Sequence, residues 1–379
     1  MKWLISLILC ASLLGSCQQG IQYTDPLETK IGGLTFTGPG RGPLHDQMFS
    51  SMAEVGGNFV ALVPEATVYR QNLRVVYDFE GQWFGERKQA TLEGISLARK
   101  NGLKVMLKPH LTIGWDLSRW KAPSVDFEDS VSRMQFIQSQ RTFISSQENR
   151  IEGNDYWRGA LMTKNDADWD TFARGYENYI LDYARIADSL KVELFCIGTE
   201  MKRTALEKPE FWHNLIRKVR TVYSGPLVYA ANWDSYDKIG FWNELDYIGV
   251  DAYFPLSKKQ HPDFVDLKSA WDKYRIKLER LAAKHHKPII LTEWGYQNED
   301  YVGAEPWDNN RYNNTDNTVN NMAQKEAYQS MFESIWQEPW MKGVFVWRWS
   351  EYKGVLNNPN YSPRGKPAAE ILKRWFEGN

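Results

Sequence analysis

The sequence predicts a single α/β domain folded as a (β/α)8 TIM barrel, and three observations carry that prediction. Eight short apolar runs of strand length alternate with helical periodicities along residues 30–379, the order expected of a parallel sheet wrapped by its own crossovers. Two of these runs end in a glutamate, the first at Glu200 and the second at Glu293, and a barrel presents reactive groups at the carboxyl ends of its strands. The competing fold, an open doubly wound sheet, is expected to carry a glycine fingerprint for phosphate at its first turn, and no GxGxxG or P-loop pattern occurs in the chain.

Residues 1–16 stand outside that fold. Lys2 supplies a positive start, residues 3–14 an apolar stretch too short to cross a bilayer as a helix, and Leu14-Gly15-Ser16-Cys17 follows. The pattern resembles a bacterial lipoprotein signal peptide. That resemblance implies cleavage before Cys17, lipidation of that cysteine, and anchoring to a membrane of the bacterial cell envelope, at the periplasmic face or the cell surface. Residues 17–29 are polar and turn-rich and read as a tether. Besides Cys10 and Cys17 the chain has one further cysteine, Cys196, inside an apolar run. A single thiol builds neither a disulfide nor a thiolate metal site, so Cys196 reads as core.

The elements then follow in order. Residues 30–39 form the first strand, and residues 44–55 an amphipathic helix that Gly56-Gly57 terminates. The second strand is residues 58–64; a helix over 90–100 closes at Asn101-Gly102, and residues 103–111 are the third strand. A long segment at about 112–158, carrying Trp115, Trp120 and Trp157, interrupts the alternation and reads as an insertion or lid. Residues 168–190 are a long helix whose Phe172, Tyr176, Tyr179, Ile180 and Tyr183 recur at helical spacing, a stripe expected to face the sheet. The fourth strand ends at Glu200. A helix over 211–222 leads to the fifth strand, 227–233, and a short helical patch to the sixth, 246–253. The sixth helix, 267–284, precedes the strand ending at Glu293; the Asn-rich residues 298–321 read as a mobile loop. The helix 323–336, the eighth strand 343–350 and the helix 367–376 complete the chain.

Composition narrows the function. With 379 residues, 42% of them hydrophobic, the chain can bury one large core. Its 46 basic and 47 acidic residues leave a net charge of -1, which gives no electrostatic case for nucleic acid as a partner. The 17 Trp and 19 Tyr are many, and favour flat apolar platforms of the kind that stack on sugar rings. The six His are scattered, and His285-His286 lacks ligand spacing, so no metal is expected.

Two carboxylates at the mouth of one barrel are the apparatus of glycoside hydrolysis. One protonates the leaving oxygen while the other attacks or activates water, with no cofactor required. Other groups at strand ends are candidates for sugar binding: Lys108 and His110 on the third, Asn232 and Trp233 on the fifth, Asp251 and Tyr253 on one face of the sixth, and Trp294 beside Glu293. Trp347 and Trp349 share a face by alternation and are expected to point inward, with Arg348 outward.

The runs Lys108-Pro109-His110, Trp157-Arg158-Gly159, Cys196-Ile197-Gly198-Thr199-Glu200, Gly249-Val250-Asp251-Ala252-Tyr253-Phe254-Pro255-Leu256, Thr292-Glu293-Trp294-Gly295-Tyr296, Lys342-Gly343-Val344-Phe345-Val346-Trp347-Arg348-Trp349 and Tyr361-Ser362-Pro363-Arg364-Gly365-Lys366-Pro367-Ala368 together resemble glycoside hydrolase family 113, of clan A. The resemblance implies a retaining β-1,4-mannanase acting on mannan, glucomannan or manno-oligosaccharides, with Glu200 as general acid/base and Glu293 as nucleophile. It implies also that Tyr253 hydrogen-bonds the nucleophile and that Trp157 and Arg158, on the insertion, are further candidates for sugar binding, with an ion pair to a neighbouring acid an equal alternative for Arg158. In two places the sequence departs from the pattern: Thr199 stands where many clan A families have an asparagine that contacts the sugar 2-hydroxyl, and residues 116–156 exceed the family's shorter link. Two other readings keep the barrel: an exo-acting β-mannosidase or other clan A β-glycanase, and a noncatalytic glycan-binding lipoprotein.

Overall fold

The computed structural model describes residues 22–38, 42–123, 129–308, 318–350 and 359–378. Eight parallel strands close into a barrel: β1 (Ile31–Phe36), β2 (Phe59–Leu62), β3 (Lys104–Leu107), β4 (Leu194–Thr199), β5 (Leu227–Asn232), β6 (Tyr247–Asp251), β7 (Ile289–Trp294) and β8 (Met341–Val346). Each pairs with its sequence neighbour, and β8 closes on β1 with Ile31 opposite Gly343 and Leu34 opposite Val346. Apart from Lys104 every strand residue is buried, as continuous apolar runs covered on both faces should be.

Two apolar layers result. The barrel interior is filled by side chains such as Ile31, Phe59, Met106, Leu194, Tyr247 and Phe345. Cys196 belongs to this layer, and burial pushes its thiol up to about 11, so it behaves as an inert core group. The second layer lies between strands and helices. There the helix α4 (Asp166–Ser189), which Asn165 caps by accepting the Asp168 N–H, buries Phe172, Tyr176, Tyr179, Ile180 and Tyr183, the stripe expected from periodicity. Such a cap is worth about 1 kcal/mol. The other helices are α1 (Asp46–Ala53), α2 (Lys88–Lys100), α3 (Ser130–Ser145), α5 (Lys202–Glu207), α6 (Pro209–Arg220), α7 (Phe264–His285), α8 (Asn321–Ile335) and α9 (Pro367–Glu377). No described helix is long and apolar enough to cross a membrane.

Several local expectations are corrected. The third apolar run is not one strand: β3 stops at Leu107, and His110–Gly114 pairs instead with Glu65–Tyr69, which also holds Val75–Val76, in a small sheet beyond the carboxyl ends of β2 and β3. Pro109 sits at the break, where a residue without an N–H cannot continue the ladder. The Tyr179 hydroxyl donates to the carbonyls of Pro64 and His110, both at 3.0 Å, tying the stripe on α4 to the point where the chain changes sheets. The 112–158 segment is not featureless, since it holds α3, none of whose residues is buried. Between β5 and β6 the helical patch is two single 3-10 turns. Residues 298–300 are buried rather than mobile: Asp300 accepts hydrogen bonds from Thr318 and Asn320, and Asn298 donates to Asn321. Asp25, within the segment read as a tether, accepts from Tyr247 and Lys342, both at 2.7 Å, below the barrel. Cys17 lies outside the described residues.

Candidate active site

A cavity of about 680 Å³ opens at the carboxyl ends of the strands, lined by His110, Trp157, Arg158, Glu200, Asn232, Trp233, Asp234, Tyr253, Glu293, Glu305, Trp307, Asp308, Trp347 and Tyr361. Both strand-end glutamates therefore face one space. Nine of the sequence candidates line it: Glu200, Glu293, His110, Trp157, Arg158, Asn232, Trp233, Tyr253 and Trp347.

Glu293 is held from below and from both sides. Lys108, fully buried, places Nζ 2.5 Å from Glu293 Oε1 and 3.3 Å from Asp251 Oδ1. Tyr253 donates its hydroxyl to Glu293 Oε2 at 2.9 Å. His110 Nε2 lies 3.3 Å from Oε1, out of line for a good hydrogen bond. Burial alone would raise the Glu293 carboxyl, but the Lys108 charge and the polar contacts of His110 and Lys108 outweigh it and hold the group well below the usual carboxylate range. Asp251 goes the other way: burial and the Glu293 charge push it well up, against Lys108 and the 2.8 Å hydrogen bond from Thr292. His110 is pushed down to about 3 by burial and the Arg158 charge, so it is neutral.

Glu200 follows β4 directly, with its backbone in the left-handed region at φ 52°. A β-carbon there costs about 1 kcal/mol or more. The bend is fixed by the Glu200 N–H donating to the Ala230 carbonyl at 2.7 Å and by the Lys202 N–H donating to the Glu200 carbonyl at 2.8 Å. Around the carboxyl, Trp157 Nε1 donates to Oε2 at 3.4 Å and Arg158 Nη1 stands 3.9 Å away. Burial raises the group; the Glu293 charge adds to that, and Arg158 opposes both, leaving the net shift upward. One carboxyl is thus biased toward its ionised form and the other toward its protonated form.

Four sequence candidates do not reach the cavity. Lys108 and Asp251 are fully buried beneath Glu293 and act on it rather than on a ligand. Trp294, next to an inward glutamate, points outward by strand alternation and packs on Tyr328 of α8 at 4.5 Å between ring centroids. Trp349 is buried against α1, where its indole donates to Ser51 Oγ at 2.9 Å. It does not share a face with Trp347 because β8 ends at Val346, and strand alternation no longer applies beyond it. Arg348, expected to point outward toward the helices, is exposed and donates to Thr37 Oγ1 at 3.3 Å. Trp347 reaches the site because Gly295 has no side chain: a β-carbon there would lie 2.2 Å from the Trp347 carbonyl oxygen.

Five lining residues went unnoticed in the sequence: Asp234, Glu305, Trp307, Asp308 and Tyr361. Asp234 adjoins the fifth strand read from the sequence and Tyr361 lies in the last of the runs that resemble the family; that proximity is the available signal. Trp307 comes from the Asn-rich loop, which offers no periodicity; its ring stacks on Trp233 at 4.7 Å and 21°. The 2-hydroxyl question is sharpened, since Thr199 is buried and does not line the cavity whereas Asn232 does.

A closed (β/α)8 barrel with two such carboxylates at the ends of its fourth and seventh strands is a glycoside hydrolase. Residues 149–362, more than half the chain, match the model of Glycoside Hydrolase Family 113, and the chain belongs to that family. No curated protein matches it. Among solved structures it is similar to a family 113 β-mannanase of Alicyclobacillus acidocaldarius, at 24% identity and TM-score 0.70 over 92% of this chain and 98% of that one. A second family 113 β-1,4-mannanase gives 22% identity and TM-score 0.69 over 93% of this chain and 100% of that one. A Ruminococcus gnavus β-glucuronidase, of which half is covered, gives 14% identity and TM-score 0.53 over 93% of this chain. At such identities these likenesses establish the shared barrel.

Proposed function

We propose that the protein hydrolyses β-1,4-mannosidic linkages in mannan, glucomannan or manno-oligosaccharides with net retention, by double displacement. The observation that carries the mechanism is the opposite bias of two carboxyls in one cavity, the signature of a divided acid and base pair. Glu293, kept ionised by Lys108 and Tyr253, attacks the anomeric carbon as Glu200 delivers its proton to the departing oxygen. Glu200, now ionised, takes a proton from water, and the resulting hydroxide displaces Glu293 from the glycosyl-enzyme. His110, Asn232, Arg158 and Trp347 would contact the sugar, and the Trp233–Trp307 stack would form a platform. The mannan assignment is supported by family membership and by the β-mannanases among the structural neighbours.

The test is product analysis from mannohexaose, cello-oligosaccharides and xylan, with Glu200→Ala and Glu293→Gln as controls. Internal cleavage of mannohexaose, lost in Glu293→Gln, supports the reading. Release of single mannose units only would favour the exo-acting alternative, and binding without any reducing sugar would favour a glycan-binding protein. The lipid anchor at Cys17 and a place in the bacterial cell envelope are a separate proposal supported by the sequence pattern alone. Cys17→Ala should abolish incorporation of labelled fatty acid, and retained label would refute it.

A further inference from the structure

Arg70 directly follows the strand Glu65–Tyr69 of the small sheet and is only 1% exposed. Nothing in its sequence context marks it, and it does not line the cavity. Its guanidinium is spent on the segment that leads to Trp157. Nη1 donates to the Gly153 carbonyl at 3.1 Å and to Asn149 Oδ1 at 3.4 Å, Nη2 donates to the Asp155 carbonyl, and the Tyr156 ring lies 4.7 Å from the guanidinium carbon. The Arg70 carbonyl accepts from the Arg150 N–H at 2.9 Å. This segment is an excursion closed at its base by the Ile151–Thr163 bridge and by the Glu152 N–H donating to the Met162 carbonyl at 2.7 Å. Trp157 and Arg158 stand within it, where the Trp157 N–H donates to Asp155 Oδ1 at 2.8 Å. Gly159 lets the indole fold back, since a β-carbon there would meet the Trp157 ring at 2.3 Å.

A buried guanidinium directed at backbone carbonyls of a loop is an expensive way to fill space, because burial disfavours its charge. The arrangement makes sense if the loop must be held in one position. Asp155 supplies the link: its carbonyl is bonded to Arg70 and its carboxylate to the backbone of Trp157, whose indole in turn donates to Glu200 Oε2 at 3.4 Å.

We propose that Arg70 is a positioning residue for the acid step, clamping the 149–157 segment so that Trp157 aims the Glu200 carboxyl at the leaving oxygen. The inference rests on Glu200 being the general acid. Its mark is dependence on the leaving group: a sugar alcohol must be protonated as it departs, whereas a dinitrophenolate need not be. The experiment compares kcat/KM, which reports the glycosylation step, on mannotetraose and on dinitrophenyl β-mannoside, for the wild type, Arg70→Met, Arg70→Lys and Glu200→Ala. In Arg70→Met the value for mannotetraose should fall about 10- to 100-fold, the scale of misplacing a reacting group by about 1 Å, while that for the dinitrophenyl substrate stays within about 3-fold. Arg70→Lys, which keeps the charge but not the fork that spans three acceptors, should fall between. Equal losses on both substrates, or no loss on either, overturn the proposal, and retained dinitrophenyl activity certifies the fold. If Glu200→Ala itself shows no leaving-group dependence, the acid assignment fails; if it does and Arg70→Met does not, only the positioning role fails.

Discussion

Glu293 is held by groups that the barrel strands themselves deliver, Lys108 just past β3, Asp251 and Tyr253 at β6 and Thr292 on β7, whereas Glu200 is flanked by Trp157 and Arg158 from a segment inserted between β3 and β4. The strand-borne contacts are short and buried, 2.5 Å for Lys108 and 2.9 Å for Tyr253. The inserted ones are longer, 3.4 Å for Trp157 and 3.9 Å for Arg158. Register between strands fixes a group to a fraction of an ångström and leaves little to adjust. A loop can be varied without dismantling the barrel. The Glu293 side should therefore be brittle to substitution, and the Glu200 side tunable.

Two substitutions on the brittle side should have the largest effects. On the proposed mechanism Glu293→Gln removes the attacking carboxylate and should lower kcat/KM on manno-oligosaccharides by at least about 1,000-fold, checked by steady-state kinetics on mannohexaose; wild-type turnover would refute its role. Lys108→Met leaves Glu293 and Asp251 facing each other with no cation between them. Breaking such a buried pair from one side costs about 3–5 kcal/mol, to be read from denaturant unfolding. The same change should alter the pH profile. Glu293 is held low by Lys108, so activity persists as pH falls until Glu293 takes up a proton. Without the cation that proton binds more readily, and the acidic limb of kcat/KM should move to higher pH. An unmoved acidic limb would mean that Lys108 serves the fold alone.

The tunable side should respond with smaller shifts at the opposite limb. On the proposed mechanism, activity at high pH is lost as Glu200 gives up the proton it must donate. Trp157 donates to Oε2 and thereby favours the ionised form, so Trp157→Phe should raise the Glu200 pKa and carry the basic limb upward by less than about one unit. A fall in the basic limb would contradict the contact seen here.

The same division explains what the sequence reveals. Strand-borne features follow from periodicity and chain order: the eight-strand count, Glu200 and Glu293 at strand ends, and Tyr253 beside them; His110 reaches the same mouth from the small sheet rather than from β3. Trp294 differs from its expected role because the alternation that turns Glu293 inward turns its neighbour outward. Lys108 and Asp251 lie at the expected end of the barrel but one level deeper, because sequence carries no measure of depth. Trp349 leaves its expected face because alternation stops with the end of β8. Arg70 left no trace at all: its partners are backbone carbonyls about 80 residues away, and acceptors of that kind have no residue type to recognise.

The mildest effect is expected where two loops meet. Trp233 follows β5 and Trp307 belongs to the stretch after β7, and their rings stack at 4.7 Å with Trp307 39% exposed. One indole thus braces the other and leaves surface free at the cavity wall. Such ring contacts contribute about 0.5–1.5 kcal/mol, and on the proposed function a platform that stacks on the sugar without touching the reacting atoms contributes alike to ground state and transition state. Trp307→Ala should therefore raise KM for mannohexaose by about 3- to 10-fold and leave kcat within about 2-fold. Trp233→Ala should do much the same. Because each ring supports the other, the double variant should lose less than the sum of the two single losses, a coupling that a double-mutant cycle on kcat/KM measures directly. Strict additivity would show that each ring acts alone, and a loss confined to kcat would place the pair on the reacting sugar itself.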